Sequence, residues 1–307
     1  MAGKKKKTKI ITSAVVLAVL IISGIITSIV NGGFGNLFNG NSVKDPEAED
    51  NMYVNFIDVG QGDCTLITCK DTAILIDSGE SSEGQTVINY LKRKKISDID
   101  LVIATHPHHD HIGSMYKILT KFKIGDVIMP QLPESLVPTT ESYQRFLNAV
   151  SQNAVDVIPA VAGESYEYGD LKVDILGPVK EYDSLNNMSV VAKITYKEVS
   201  VMFTGDAETN AENDMLSKNY SFNASLLKVG HHGSKSSNSA NWLKAVAPKY
   251  AVVSCGINND YSHPHKTTVK RLEKQNIEYF RTDLLGDIVF VSDGKVIQRV
   301  EQNIKTK

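Results

Sequence analysis

The distribution of histidine is the sequence feature that most limits what this chain can fold into. All eight histidines lie in three short stretches of the 307 residues. Histidines that only pack in a core or sit on a surface would be scattered along the chain. The three stretches contain, in chain order, His106, His108, His109 and His111, then His231 and His232, then His263 and His265. This clustering predicts a functional site that is built around histidine side chains.

The first stretch reads ATHPHHDH and directly continues an apolar segment, LVIAT, that is typical of a buried strand. A loop that opens where a strand ends is a usual place for sites in layered α/β proteins. We expect His106 and His108 to reach one metal ion, and Asp110 and His111 to face a second position nearby. Imidazole and carboxylate suit Zn²⁺, Mn²⁺ or Fe, and the lack of cysteine ligands indicates an open catalytic site.

The segment of residues 10–30 carries no charged side chain, and as a helix it would span roughly 31 Å, about the thickness of a bilayer's apolar core. The five lysines of residues 1–9 would stay in the cytoplasm by the positive-inside rule, which places the rest of the chain outside. A cleaved signal peptide or a buried core helix is the alternative. Residues 31–50 are rich in Gly, Asn and acidic residues and indicate a flexible linker to a folded domain of residues 51–307.

The charge of the chain is unevenly placed. Residues 31–307 carry 28 basic and 35 acidic side chains, a net charge of −7. Proteins that follow a long polyanion usually present a basic face. Extensive nucleic-acid binding is therefore not indicated, although a local basic patch remains compatible with this balance.

From residue 52 onward, short apolar runs alternate with amphipathic stretches, which predicts α/β layers without choosing one architecture. Helical spacing is found after His111 and at residues 86–95, 142–150, 207–218, 241–247 and 267–275. The three cysteines are expected to be buried thiols. If residues 63–70 form one strand, Cys64 and Cys69 lie roughly 16 Å apart on opposite faces, too far apart for a disulfide.

His-x-His-x-Asp-His after a strand resembles the hallmark of the metallo-β-lactamase superfamily. Other residues follow in the superfamily's order over residues 52 to about 293. Asp77 in ILIDSG matches an acidic residue that supports the site, Asp206 in MFTGD matches the metal-bridging carboxylate, and LLKVGHHGS matches the last ligand. The resemblance implies an αββα sandwich of two packed sheets with helices on both outer faces, here preceded by a single transmembrane helix.

Several strings resemble one subgroup more closely. FIDVGQGD, NNMSVV, FTGDAE, LKVGHHGS and SHPH are similar to the hydrolase domain of the DNA-uptake competence channel, and secreted phosphorylcholine esterases carry similar stretches. One departure concerns the β-lactamases and glyoxalase-type members, which have a further histidine ligand before the strand pair leading to Asp206. Here that stretch, residues 186–189, is NNMS, which leaves Asn187 as a weak ligand or a hydrogen-bonding residue. Activity with one metal, or another metal preference, is then an alternative.

The resemblance implies two divalent metal ions, Zn²⁺ or Mn²⁺, that share Asp206 and activate water for attack on phosphorus or a carbonyl carbon. The implied ligand sets are His106, His108 and Asp206 for one ion, and Asp110, His111, Asp206 and His232 for the other. We favour His232 over His231 because it directly precedes Gly233, and the other histidine could then hold a substrate oxygen.

Further residues are expected near the substrate. Related phosphodiesterases carry an extra histidine in the SHPH stretch, so His263 or His265 is expected to contact phosphate or to protonate the leaving group beside the catalytic Asp110. Loop residues Ser234 and Lys235 could bind a phosphate, or simply form a solvated loop. Asp63 is expected either to support the site or to shape a turn. His109 is expected to point away from the site.

These features favour a membrane-anchored, extracytoplasmic, metal-dependent phosphodiesterase or nuclease, and the acidic domain favours a small phosphodiester or a short end over long DNA. A phosphorylcholine or other wall-polymer esterase is the first alternative. A metal-binding sensor without turnover is another, and β-lactam or thioester hydrolysis is disfavoured by the missing histidine. The membrane and the substrate are the predicted partners, and no protein partner is predicted.

Overall fold

The computed structural model of the protein describes residues 50–301. The predicted tail of residues 1–9, the predicted anchor of residues 10–30 and all but the last residue of the predicted linker lie outside that range, so their assignments stay predictions. Within the described part of the chain, no helix is both long and apolar enough to cross a bilayer.

Two β-sheets form the centre of the described chain. The strands, in chain order, are β1 (Met52–Phe56), β2 (Thr65–Cys69), β3 (Thr72–Ile76), β4 (Asp98–Ile103), β5 (Lys123–Met129), β6 (Asp156–Pro159), β7 (Ser165–Tyr168), β8 (Leu171–Gly177), β9 (Val191–Tyr196), β10 (Val199–Phe203), β11 (Leu226–Lys228), β12 (Tyr250–Val253), β13 (Glu278–Arg281), β14 (Ile288–Ser292) and β15 (Ile297–Arg299). The first sheet has the order β15-β14-β1-β2-β3-β4-β5-β6, and the second has the order β13-β12-β11-β10-β9-β8-β7.

Each sheet is antiparallel in one part and parallel in another. In the first sheet, β3, β4, β5 and β6 run parallel, and in the second, β10, β11, β12 and β13 do. A parallel neighbour requires a crossover connection, which is usually a helix. The helices are α1 (Gly84–Arg93), α2 (His109–Ile112), α3 (Met115–Lys121), α4 (Glu141–Gln152), α5 (Thr209–Leu216), α6 (Ala240–Val246), α7 (Lys266–Lys274) and α8 (Thr282–Leu285).

The core consists of three apolar layers. One lies between the two sheets, one lies between the first sheet and α1, α3 and α4, and one lies between the second sheet and α5, α6 and α7. Strand β2 shows why: Ile67 faces the inter-sheet layer, whereas its neighbour Leu66 faces the helices, since successive side chains point to opposite faces. Both faces are covered, so every residue of the strand is buried. The predicted αββα sandwich is confirmed.

The cysteines and the helices follow the sequence pattern closely. All three cysteines are buried free thiols, and Cys64 and Cys69 face different layers of the core. The predicted helices all occur, with ends displaced by a few residues. Two strands were not predicted: β6 and β7 each lie at the edge of a sheet, are at most partly buried and lack an apolar alternation.

The parallel strands decide where the histidines meet. Asp77 follows β3 and His106 follows β4 in the first sheet, while Asp206 follows β10 and His231 follows β11 in the second. Parallel strands end at the same edge of their sheet, and both edges open on the same side of the sandwich. The loops after these strands therefore form one site.

Candidate metal centre

The first group of ligand atoms lies in the loop after β4. The Nε2 atom of His106 is 2.9 Å from the Nδ1 atom of His108 and 3.7 Å from the Oδ2 atom of Asp206. His106 and Asp206 are buried, and His108 is partly buried. The three side chains converge on one point and could hold one divalent metal ion.

A second group lies on the other side of Asp206. The Nε2 atom of His111 is 3.2 Å from Asp206 Oδ1 and 3.3 Å from the Nε2 atom of His232. The Oδ2 atom of Asp110 is 3.1 Å from the same His232 nitrogen and 3.9 Å from His111 Nε2. These four side chains, all predicted from the sequence, form a second candidate site.

Asp206 stands between the two groups and directs one oxygen to each. Its main-chain N–H donates to the hydroxyl of Ser189 at 3.0 Å, which fixes the loop after β10. Gly205 before it has φ +49°, and a Cβ there would lie 2.9 Å from the Ser189 side chain. The Oδ1 atom of Asp206 is buried, and no donor among the described residues meets it with good hydrogen-bond geometry, His111 Nε2 at 3.2 Å included. A buried carboxylate oxygen without a donor fits a bridging metal ligand.

The outer nitrogens of two candidate ligand histidines have fixed partners, a carboxylate for His111 and a main-chain carbonyl oxygen beside a carboxylate for His232. Asp77 Oδ2 is 2.7 Å from His111 Nδ1, and Thr105 donates to Asp77 through its hydroxyl at 2.7 Å and its N–H at 2.8 Å. Asp63 Oδ1 is 3.2 Å from His232 Nδ1, which also lies 3.0 Å from the carbonyl oxygen of Ser254. Such contacts fix the tautomer and the orientation of a metal-binding histidine.

The position of Asp63 needs a choice between two roles. Its carboxylate, His111 and His232 have ligand atoms within 4.8 Å of one another, so the three could hold an ion. Asp63, however, faces Nδ1 of His232, whereas Asp110 and Asp206 face Nε2, which points into the site. We therefore place Asp63 behind His232, as Asp77 lies behind His111.

Lys228 at the end of β11 was not predicted as a site residue. Its Nζ lies 2.7 Å from Asp63 Oδ2, and its side chain is only 2% exposed. Burial alone would raise the pKa of Asp63, but the Lys228 ammonium and the neighbouring His232 lower it to about 2. The sequence signal was a single lysine inside the apolar strand SLLKV. The lysine keeps Asp63 ionised behind the metal ligand.

The metal-free site holds protons that a metal would displace. Burial opposes the charged form of His111, but Asp206, Asp77 and Asp110 outweigh it and raise the pKa of His111 well above its usual value. Burial is likewise outweighed for His232, whose pKa the carboxylates of Asp206 and Asp63 raise to about 10. The carboxylates therefore make this site strongly favour the binding of cations.

The SHPH loop closes one side of the centre. The His263 ring lies 5.6 Å from the His231 ring and 6.1 Å from the His232 ring, between centroids. Its Nδ1 atom is buried without a hydrogen-bond partner. The His265 ring lies 4.9 Å from the His263 ring, and its Nδ1 atom accepts the main-chain N–H of Lys235 at 3.0 Å. Both predicted histidines thus line the rim.

A comparison with known families identifies the chain. A model described as Metallo-beta-lactamase superfamily matches residues 57–257. The chain belongs to this superfamily. It has the fold and the ligand groups of a metal-dependent hydrolase.

Curated relatives support the competence subgroup of the superfamily. The chain is 31% identical over 262 residues to ComE operon protein 3 of Bacillus subtilis. This match covers 79% of this chain and 33% of that protein. It is 28% identical over 252 residues to competence protein ComA of Neisseria gonorrhoeae, covering 80% of this chain and 33% of that protein. The chain spans about a third of the length of these relatives.

Solved structures show the same fold at low identity. The metallo-beta-lactamase fold protein YhfI of Bacillus subtilis superposes with a TM-score of 0.56 at 15% identity, covering 79% of this chain and 100% of that one. The metallo hydrolase Igni18 of Ignicoccus hospitalis gives a TM-score of 0.53 at 17% identity, covering 78% and 98%. These likenesses concern the fold alone.

The adjacent histidines after β11 take different sides of the superfamily centre. Both have φ +51°, and His231 Nε2 lies 3.6 Å from Asp206 Oδ2, the oxygen that faces His106. His232 instead lies with His111. Among the described residues, His232 is in one of the two groups whose ligand atoms could hold an ion and His231 is in neither, so His232 stays the predicted ligand.

Asn187 does not occupy the position of a ligand. Its side-chain oxygen accepts the main-chain N–H of Glu208 at 2.9 Å, so the hydrogen-bonding alternative describes it. Three other residues named in the sequence analysis lie outside the two groups of ligand atoms. Ser234 is buried and its hydroxyl lies 3.0 Å from that of Ser236, Lys235 is exposed, and His109 is exposed beside the N–H of Ser81.

Proposed function

We propose that the protein is a metal-dependent phosphodiesterase that acts on nucleic acid ends outside the cytoplasm. The observation that carries the proposal is the His263 ring, which packs beside the two groups of ligand atoms around Asp206. A phosphodiester has two non-bridging oxygens that a pair of metals can bind, and two ester oxygens, one of which such a neighbour can contact. The names of the relatives, which include competence proteins, support a nucleic-acid substrate.

The electrostatics support a role for His263 as a hydrogen-bond donor to the substrate. Burial and the nearby rings of His232 and His231 lower the pKa of His263 to about 4. The ring is therefore neutral at pH 7 and would donate a hydrogen bond to a substrate oxygen. This role differs from protonating the leaving group, for which a pKa near the working pH is best.

Two divalent metals would supply a nucleophilic water and neutralise charge on the phosphate. The chain's own residues prepare for this. Asp77 and Asp63 hold the ligand histidines from behind, and Lys228 balances the charge of Asp63. The preorganised ligands need little rearrangement when a metal binds.

We also propose that residues 10–30 anchor the enzyme, with residues 1–9 in the cytoplasm and the hydrolase domain outside. The uncharged run and the five lysines before it support this orientation. Cysteine labelling of residues on each side of the run in intact cells tests it. Labelling of residue 45 from the cytoplasm would contradict the orientation.

The activity is tested with the full-length chain and Mn²⁺ or Zn²⁺ on four substrates: DNA, bis-p-nitrophenyl phosphate, p-nitrophenyl phosphorylcholine and a β-lactam. Asp206→Ala should lower kcat/KM on phosphodiesters by at least about a thousandfold, since charge stabilisation by the metals is worth several kcal/mol. His109→Ala, in the same motif but outside the site, should retain activity. Turnover of the choline ester alone would favour a wall-polymer esterase, and bound metal without any turnover would favour a sensor.

A further inference from the structure

An exposed aromatic ring lies at the mouth of the centre. Tyr261 is 63% exposed, yet one face of its ring stacks on His263, with centroids 5.6 Å apart and planes 20° apart. His263 in turn lies nearly parallel to the His232 ring, at 6.1 Å and 28°. The three rings form a ladder that leads from solvent to a metal ligand.

The loop that carries Tyr261 is held in place. Asn259 donates to the carbonyl oxygens of Gly256 and His263 at 2.9 and 2.7 Å, and accepts the N–H of His263 at 2.9 Å. At the far end of the loop, Pro264 packs so closely on Gly233 that a Cβ there would lie 2.5 Å from the proline. The exposed ring is thus fixed before any ligand arrives.

We infer that Tyr261 is a stacking platform for a base next to the scissile phosphate, and that the substrate is the end of a single-stranded nucleic acid. This inference rests on the proposed function. A base has a flat face that matches the outer face of a tyrosine, and stacking on an aromatic side chain tolerates any sequence. Tyr261 is two ring-to-ring steps from His232, with centroids 5.6 and 6.1 Å apart, so a base on its outer face lies on the path from solvent to the centre.

The charges around the platform match the same ligand. Lys235 is exposed, and its main chain is tied to His265, one ring away from His263. An exposed lysine on this loop is the residue we expect to meet the phosphate that follows the scissile one. The cationic side chain disfavours choline, whose quaternary ammonium is also best held by a cage of several rings.

The basic surface is short, which limits the length of strand that it can follow. Lys266, Lys270 and Lys274 lie one turn apart along the exposed side of α7, which has only nine residues, and Glu273 lies beside them. Together with the net charge of −7 for residues 31–307, this favours a few nucleotides at an end.

The test compares Tyr261→Ala with the unchanged full-length chain on two single-stranded oligonucleotides, one with all bases and one with abasic residues at both ends. Loss of the ring should raise KM for the intact strand about 5- to 100-fold. It should leave KM for the abasic strand within about twofold, because the abasic end has nothing to stack. Tyr261→Phe should behave as the unchanged chain, and Val296→Ala, an apolar side chain 56% exposed in the turn between β14 and β15, serves as the control.

Binding gives a readout that does not depend on hydrolysis. Fluorescence anisotropy of the labelled oligonucleotides, in chelator at low salt, should show the same dependence on Tyr261 and on the terminal base. Lys235→Ala should reduce the slope of log Kd against log salt by about 0.7, as expected for one phosphate contact with a single strand.

The outcomes separate the two proposals. Binding that depends on Tyr261 and the base, without DNA cleavage, supports the platform and contradicts the nuclease activity. DNA cleavage with unchanged KM and Kd in Tyr261→Ala overturns the platform and leaves the activity standing. A KM increase confined to the choline ester, or no binding of either oligonucleotide, also overturns the platform.

Discussion

The buried pair of Lys228 and Asp63 gives a prediction whose magnitude follows from the structure. The Nζ and Oδ2 atoms are 2.7 Å apart, and the two side chains are 2% and 6% exposed. At an effective dielectric constant of about 20, Coulomb attraction at this separation is about 6 kcal/mol. The cost of removing both charges from water cancels much of this attraction, so the intact pair contributes little net stability.

Removing only the cation is different, because the buried carboxylate remains. We expect Lys228→Met to lower the free energy of unfolding by about 3 to 5 kcal/mol. Lys228→Met combined with Asp63→Asn should lower it by less than the sum of the single changes, with a coupling energy of about 2 kcal/mol. Methionine keeps most of the buried stem, so the comparison measures the loss of the ammonium, with its ion pair and its 2.9 Å hydrogen bond to the carbonyl oxygen of Val229.

The assay is urea unfolding of the full-length chain in chelator, so that no metal stabilises the folded state. The single tryptophan, Trp242, is fully buried and reports the loss of structure by its fluorescence. Lys123→Met is the matched control, since its ion pair with Asp98 is 3.6 Å long and its side chain is 86% exposed. The control should change stability by less than about 1 kcal/mol.

A loss of stability for Lys228→Met as small as that of the control, or strict additivity in the double variant, would refute the reasoning.

The pH dependence of stability offers a second check. The pKa of Asp63 lies at about 2, below its ordinary value of 3.8. The stability that Asp63 contributes is therefore present above about pH 4 and is lost as the pH falls toward 2. Lys228→Met should shrink this loss.

Three further predictions concern the metal centre. Asp77→Asn should weaken metal binding about 10- to 100-fold by releasing the outer nitrogen of His111, measured by competition with a chromogenic chelator; unchanged affinity would contradict the supporting role. Metal affinity should rise with pH between 6 and 8, by up to about tenfold per pH unit for each proton released, because His111 and His232 (pKa about 10) are protonated in the metal-free protein; a flat titration by calorimetry would contradict this. Gly62→Ala should cost about 1 to 3 kcal/mol in urea unfolding, since its Cβ would lie 2.4 Å from the carbonyl oxygen of Asp110; a neutral effect would show that the turn can yield.

The sequence alone determined the family and the sandwich, and it named nearly all of the side chains that the structure brings together as candidate ligands. Metal binding restricts ligands to a few residue types, and the loop after β4 together with α2 places four of them within six positions, so the pattern is visible without a structure. The buried strands and amphipathic helices are equally local signals. The anchor of residues 10–30 stays a prediction of the sequence.

Only the tertiary structure decided which residues contact one another in the site. The sequence shows His231 and His232 as neighbours, but their opposite sides of Asp206 depend on the loop after β11 meeting the loop after β10. In the same way, Lys228 acquired its role from burial against Asp63, 165 positions earlier in the chain. Contacts between distant segments, and the burial that strengthens their electrostatics, leave no local pattern for a sequence to reveal.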